Sequence, residues 1–301
     1  MASSRIGRRT GEDIVIDTWV YLMMAGVFFA TVYPFYYCLV ISFNMGTDAV
    51  RGGIFLFPRA FTVENYLRVF SSPDILSGFG VSALRTAVGT VVSVLFTGLF
   101  AFSLAHKQLK FRRVYMTMLL ISMYFSGGIV PYFLLIRSLG LYNSFLVYII
   151  PGLLGAFNVI IMISFFQSIP DSLEEAARID GANDLSIFFR IIVPVSMPII
   201  ATVALFNGVG HWNNWFDTAY FTRNKGLRTL SYMLIEIIQR SQLSSMTGSG
   251  ENWSFSGSSQ SFTAETIRMA TMVVVVLPIV CVYPFLQKYF VKGIMLGSVK
   301  G

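Results

Sequence analysis

Residues 81–105 read VSALRTAVGTVVSVLFTGLFAFSLA, and residues 106–113, which follow directly, read HKQLKFRR. Arg85 is the only charged residue of the first stretch, which as a helix is long enough to cross a hydrocarbon core of about 30 Å. The second stretch holds four cations and no acid. Because short loops rich in Lys and Arg stay in the cytoplasm, the two stretches predict a membrane span that ends inside the cell.

The composition of the chain favours a membrane protein. It is 55% hydrophobic and only 12% charged, and its mean hydropathy is +0.67. A soluble domain carries about 25% charged residues, so this chain has too few charges to cover a soluble globule. Its net charge of +7 would favour nucleic-acid binding in a soluble protein, but here the cations flank apolar runs. We therefore expect membrane lipid around the chain and no nucleic-acid partner.

Five further apolar runs accompany this span. They cover about residues 18–43, 145–166, 191–215 and 267–289, with one more that starts near Tyr115. The first run is too long for the apolar part of a signal peptide, so we expect it to be retained as a span. The predicted fold class is all-α, a polytopic membrane protein with six transmembrane helices. Residues 1–17 would form a cytoplasmic N-terminus and residues 18–301 the transmembrane domain, and the even number of spans places both termini in the cytoplasm.

The run that starts near Tyr115 is interrupted by Gly127-Gly128 and Pro131. Two interpretations are open. The break could be the outer end of the span, or it could be an unwound segment that lines a cavity at membrane depth.

Two long segments between the runs, residues 44–78 and 217–265, are predicted to be external loops, the first with one short surface helix from Val63 to Phe70. The second is polar, and its part from Met246 to Gln260 is rich in Ser and Gly. We expect that part to be flexible.

Residues suited to catalysis or metal binding are scarce. Cys38 and Cys281 lie in apolar runs without neighbouring metal ligands, and His106 and His211 are the only histidines. The sequence has no H-E-x-x-H motif and no phosphate-binding G-x-x-x-x-G-K-[ST] motif. We therefore expect no metal site, no disulfide framework, no cofactor and no enzymatic activity in this chain.

The segment between the fourth and fifth runs, residues 170–190, reads PDSLEEAARIDGANDLSIFFR. Pro170 followed by Asp and Ser is a helix-start signal, and Glu174 and Glu175 lie in the first turn, where the helix dipole favours anions. Gly181 would end this helix or let it turn sharply. These residues predict a short helix-turn-helix beside the membrane. They leave open whether it is a plain amphipathic surface helix or a docking site for a partner.

A longer pattern in and beyond this segment resembles the EAA loop of binding-protein-dependent ABC importers. The matching residues are Glu175-Ala176-Ala177, Asp180-Gly181-Ala182, Phe188, Ile192, Pro194 and Pro198. Residues 211–216, HWNNWF, and 283–290, YPFLQKYF, resemble the carbohydrate branch, the MalG-like half, and within it most of all the LplC-type oligosaccharide permeases. The resemblance covers nearly the whole chain, and its main departure is the Ser/Gly-rich segment from Met246 to Gln260.

This resemblance implies the type I ABC importer permease fold. It also implies that the chain is the transmembrane subunit of an ATP-driven importer in the bacterial plasma (inner) membrane. The implied cargo is an oligosaccharide, acidic or derived from plant or algal walls, and the alternatives are another small solute or a secondary carrier. The implied partners are an ATPase dimer that binds ATP and Mg²⁺, a second homologous permease and an extracytoplasmic solute-binding protein.

The resemblance assigns the coupling of ATP hydrolysis to transport to the loop 170–190. The coupling residues implied are Glu174, Glu175, Ala176, Ala177, Asp180, Gly181 and Ala182. The helix would dock in a cleft of the ATPase, and Glu175 would pair with a basic residue there. Ala176 and Ala177 would offer a small face that the partner approaches closely, and Gly181 would supply the turn.

Polar and aromatic residues in the fourth and fifth runs are candidates for the substrate pathway. They are Asn158, Asn207, Trp212, Asn213, Asn214 and Trp215. A role in sugar binding is one interpretation, since Trp packs on sugar rings and Asn side chains bond to hydroxyls. A structural role is the other, since Trp forms belts at the membrane interface and Asn forms hydrogen bonds between helices. Both interpretations are open. Arg85 and Arg268 are expected to snorkel to the interface, and contact with an acidic sugar is the alternative.

Overall fold

The computed structural model describes residues 11–247 and 262–298, where the regular structure is helical apart from one isolated bridge between Asn44 and Phe61. The helices are α1 (Gly11–Ser42), α2 (Gly46–Ala49), α3 (Glu64–Ser71), α4 (Pro73–Ala105), α5 (Arg112–Tyr124), α6 (Ile129–Ser138), α7 (Ala156–Phe166), α8 (Asp171–Ile179), α9 (Asp184–Ile187), α10 (Val193–Val195), α11 (Met197–Asn213), α12 (Phe216–Phe221), α13 (Leu230–Thr247) and α14 (Ala264–Ser298). Shorter 3-10 segments are Phe145–Tyr148, Ile150–Gly152 and Lys225–Leu227, and Phe188–Ile192 is a π-helical turn. The predicted all-α class is confirmed.

Among the described residues, three helical segments are long and apolar enough to cross a membrane without interruption. They are Glu12–Ser42, Pro73–Ala105 and Ala264–Pro284. Three more candidate spans are pairs bent at a short break: Arg112–Tyr124 with Ile129–Ser138 by 120°, Phe145–Gly152 with Ala156–Phe166 by 47°, and Asp184–Val195 with Met197–Asn213 by 87°. With each bent pair counted as one span, length and composition give the six spans that the sequence predicts.

The predicted interruption at Gly127-Gly128 is present, since α5 ends at Tyr124 and α6 begins at Ile129. Gly128 has a φ of +82°, in the left-handed region that favours glycine. The chain turns by 120° at this break, so α6 runs partly back along α5 instead of prolonging it. The two helices therefore do not form one straight crossing.

The chain forms two compact units, the first of which comprises Met1–Val69 and Thr247–Val274. Buried side chains of its core are Val40, Ile41, Ala49, Ile54 and Met269. The Asn65 side-chain amide donates to the carbonyls of Ser42 at 2.8 Å and Asn44 at 3.0 Å. These bonds satisfy buried backbone acceptors just past the end of α1. The short helix predicted from Val63 to Phe70 is present as α3, Glu64–Ser71.

The second unit comprises Phe70–Met246 and Val275–Gly301, and α4 is its central helix, packed against α7 and α11. The core between these helices includes Ala101, Phe102, Leu104, Val159, Met162, Ile163, Phe188 and Val203. A Cβ placed on Gly89 of α4 would lie 2.7 Å from Nε2 of His211 on α11. Glycine at that position therefore permits the close approach of the two helices.

The segment predicted as a polar external loop, residues 217–265, contains helices that its polarity did not suggest. Helix α13 places Leu230, Met233 and Ile237 in buried positions, a spacing that fits one face of an amphipathic helix. The predicted flexible part, Met246 to Gln260, falls almost wholly in residues 248–261, which lie outside the described residues.

Candidate functional site

The segment expected to bind a partner begins with α8, and the structure ends this helix where the sequence predicts. Gly181 has a φ of +82°. Its amide donates to the carbonyl of Arg178 at 3.0 Å, and the amide of Ala182 donates to the carbonyl of Ala177 at 2.9 Å. This pair of bonds is a Schellman motif, which satisfies the last carbonyls of α8 and turns the chain toward α9.

The two faces of α8 differ. Ala177 is 8% exposed and packs in the core of the second unit, with Ala182 partly buried against the same core. Glu175, Ala176 and Ile179 are exposed, Ile179 by 85%. The expectation that Ala176 and Ala177 together face a partner is therefore wrong for Ala177, because successive residues of an α-helix point about 100° apart.

A hydrogen bond joins α8 to the residue just past the end of α4. His106 Nε2 lies 2.8 Å from Glu174 Oε2, and His106 Nδ1 lies 2.9 Å from the carbonyl oxygen of Phe102. Both ring nitrogens therefore have a hydrogen-bond partner, which fixes the ring between the two elements. Within the described residues Glu175 has no ion-pair partner, and its carboxylate is free to meet another protein.

A cavity of about 270 Å³ lies beside the C-terminal half of α11. Its polar lining residues are Arg85, Asn207, His211, Asn214 and Asp217, and its aromatic lining residues are Tyr132, Tyr148 and Phe206. An aromatic wall with a few convergent polar groups is the usual make-up of a small-molecule site.

Arg85 is a buried member of this lining and does not snorkel, which corrects the expectation from its position near the outer end of a span. It is 1% exposed and forms an ion pair with Asp217. Its Nη1 donates to the carbonyl of Asn214 at 2.9 Å, and its guanidinium carbon lies 4.4 Å from the centre of the Tyr148 ring. The carboxylate compensates the cost of burying the charge, and these contacts tie α4 to the chain just past α11.

Two predicted pathway residues, Asn207 and Asn214, line the cavity. Asn158 lies outside the lining, but its Nδ2 donates to Oδ1 of Asn207 at 2.9 Å, from α7 to α11. The helix-to-helix bond that the sequence left as an alternative is therefore present, and it fixes the orientation of Asn207.

Trp212 does not face the cavity. It is 6% exposed, its indole Nε1 donates to the carbonyl of Val275 at 2.9 Å, and its ring meets Phe79 edge to face at 5.7 Å. These contacts give it a packing role, and its place among the pathway candidates stays a prediction. Asn213 and Trp215 are exposed and lie outside the lining.

Sequence reasoning did not assign Asp217, His211 and Tyr148 to this site. A lone acid directly after an apolar run, as Asp217 is, could have been matched with the lone Arg85 inside another run. Tyr148 carries no such signal, since one tyrosine in an apolar run looks like any core residue.

Comparison with known proteins gives one family, described as binding-protein-dependent transport system inner membrane component, which matches residues 94–296. Protein LplC of Bacillus subtilis (strain 168) is 37% identical over 301 residues and covers 100% of both chains. The polygalacturonan/rhamnogalacturonan transport system permease protein YtcP of the same organism is 38% identical over 290 residues, 96% of this chain and 100% of its own.

A solved structure supports the same fold. It is a chain of a bacterial ABC transporter involved in the import of the acidic polysaccharide alginate, with a TM-score of 0.84 and 28% sequence identity. The match covers 94% of this chain and 99% of that one. The overall fold is therefore shared with a chain of that transporter.

Proposed function

This chain belongs to the binding-protein-dependent transport system inner membrane components, and on that premise we propose that it is the permease subunit of an oligosaccharide importer. Its cargo is an oligosaccharide of plant or algal walls. The names of YtcP and of the alginate transporter support this class of cargo. The chain catalyses no reaction itself, and ATP with Mg²⁺ binds to a separate ATPase dimer.

The observation that carries the coupling role is the two-faced helix α8. Ala177 and Ala182 anchor it in the core, and Glu174 is held by His106 of α4. Its exposed face combines apolar Ile179 with the unpaired carboxylate of Glu175. An apolar contact ringed by charge suits a docking helix, and we assign Glu175, Ala176 and Asp180 to the contact with the ATPase.

The rigid attachment of α8 supplies the mechanical link. A push on α8 reaches α4 through the His106–Glu174 pair, and it reaches α11 through the core around Phe188 and Ile192. Because packed helices move as bodies, closure of the ATPase dimer rocks the spans between inward and outward access.

The proposed topology places α8, the basic 106–113 loop and both termini, including residues 1–17, in the cytoplasm. Residues 217–265 then lie outside, where the solute-binding protein delivers the cargo.

Asn207 and Asn214 line the substrate pathway, and Asn158 orients Asn207. The exposed Asn213 and Trp215 face the second permease or the pathway that the two permeases share.

The test is a graded change at Glu175 in the complete importer, with this chain, the second permease, the ATPase and the binding protein in liposomes. We expect Glu175→Gln to lower sugar uptake in part and Glu175→Arg to lower it at least tenfold, while basal ATP hydrolysis continues. Charge reversal at a docking contact opposes the partner's basic residue.

A matched glycine pair accompanies this series. Gly181→Val forces a β-branched side chain into φ of +82°, whereas Gly80→Val introduces the same side chain at an exposed helical glycine with open space around it. We expect loss of coupling only in the first. Normal uptake by Glu175→Arg and Gly181→Val would falsify the coupling role, and uptake without any ATPase would point to a secondary carrier.

A further inference from the structure

The cavity beside α11 contains a hydrogen-bonding group without a partner. Asn207 Oδ1 accepts from Asn158, and Asn207 Nδ2 is buried and has no partner. If the amide oxygen and nitrogen are exchanged in both residues, Asn207 Nδ2 donates to Asn158 and Asn207 Oδ1 is left without a partner. A buried amide group is costly without a partner, so the cavity is prepared for a polar ligand.

The rest of the lining suits a sugar ring. Tyr132 and Phe206 supply aromatic surface for the C–H face of a ring, and the imidazole of His211 adds a further group that can donate or accept. The volume of about 270 Å³ is small for a ligand site, which fits one sugar unit rather than a whole oligosaccharide.

The charges of the lining cancel. Arg85 is the one Arg or Lys and Asp217 the one acid of this wall, and the two are paired with each other. The guanidinium also donates from Nη1 to the Asn214 carbonyl and lies over the Tyr148 ring, while its Nε is buried without a partner. A carboxylate entering the cavity would meet a cation whose charge Asp217 already balances and would lie near the carboxylate of Asp217, so a charged ring is disfavoured.

We propose that this cavity is a subsite for one uncharged sugar unit of the cargo, recognised through a hydrogen bond between its hydroxyl or ring oxygen and Asn207. The assignment rests on the proposed function. It means that the permease selects neutral or esterified units even where the polysaccharide of origin is acidic.

The experiment uses the complete reconstituted importer and two probes, trigalacturonic acid and its fully methyl-esterified form, which differ in charge. In Asn207→Leu we expect the KM of uptake for the ester to rise about tenfold, the usual effect of losing one hydrogen bond, with little change in maximal ATPase stimulation. Asn207→Lys places a cation in the cavity, and we expect the acid-to-ester ratio of kcat/KM to rise at least tenfold. Each variant is compared with wild type in the presence of the same binding protein. Any preference of the binding protein for one probe therefore cancels from the ratio of variant to wild type.

Thr202→Val is the matched control, since its hydroxyl donates within α11 to Pro198 and does not line the cavity. It should leave both KM values unchanged. Unchanged uptake of the ester by Asn207→Leu, or a larger KM increase for the acid, overturns the subsite while leaving the importer function intact. A wild-type complex that imports neither probe with ATP overturns the proposed cargo, and the subsite assignment with it.

Discussion

At the scale of single residues, the buried pair of Arg85 and Asp217 has the strongest influence on the site. A guanidinium at 1% exposure is stable only with a partner, and Asp217 supplies it from a position 132 residues further along the chain. Hydropathy marks Arg85 as unusual for a span, and snorkelling is the ordinary explanation for such a residue. The partner could not be predicted, because the pairing depends on which face α4 turns toward α12.

Removing one partner of this pair should destabilise the protein. We expect Arg85→Gln or Asp217→Asn to lower the free energy of unfolding by about 3 kcal/mol, because each leaves a buried group uncompensated. Thermal unfolding of the purified protein in detergent measures the effect. The exposed pair Arg178–Asp184 is the control, where the same changes should cost less than about 1 kcal/mol. Equal effects at both pairs would show that the buried one has no special role.

At the scale of helices, the contact between α4 and α11 positions the cavity. Gly89 allows His211 to lie against the backbone of α4, and this close approach brings Arg85 and Asn207 to one wall. The apolar runs predicted both helices, but hydropathy does not show which face of α4 contacts which face of α11. Helix α4 holds four glycines, Gly78, Gly80, Gly89 and Gly98, and only the packing shows which are needed.

Gly89→Ala should disturb this contact. The added methyl would lie 2.7 Å from His211 Nε2, so either the imidazole or the helix must move, and we expect a loss of about 1–3 kcal/mol in unfolding free energy. Gly80→Ala adds the same methyl to the same helix with nothing within 4 Å. Melting temperatures of the two variants provide the comparison, and a Gly89→Ala protein as stable as Gly80→Ala would contradict the proposed role of the close approach.

At the scale of the whole molecule, the proposed topology places the loop at residues 106–113 and both termini on the cytoplasmic side of the membrane. In a variant with Cys38→Ser and Cys281→Ser, we expect Gln108→Cys to react with a membrane-impermeant maleimide only after the cells are opened. Phe57→Cys, at a position that is exposed in the segment before α3, should react in intact cells. Labelling of Gln108→Cys from outside would invert the topology and remove α8 from the side where ATP is.

The sequence by itself determined the helical class, the number of spans, the position of α8 and the turn at Gly181. These features depend on neighbours within a few positions: apolar runs, helix-start residues, and a glycine at a left-handed position. Only the tertiary structure decided that Ala177 faces inward, that Trp212 packs behind the cavity wall, and that Arg85 is paired with Asp217. Those outcomes depend on which faces of distant helices meet. When a helix is apolar on nearly every face, the pattern of apolar residues in the sequence does not show which face makes the contact.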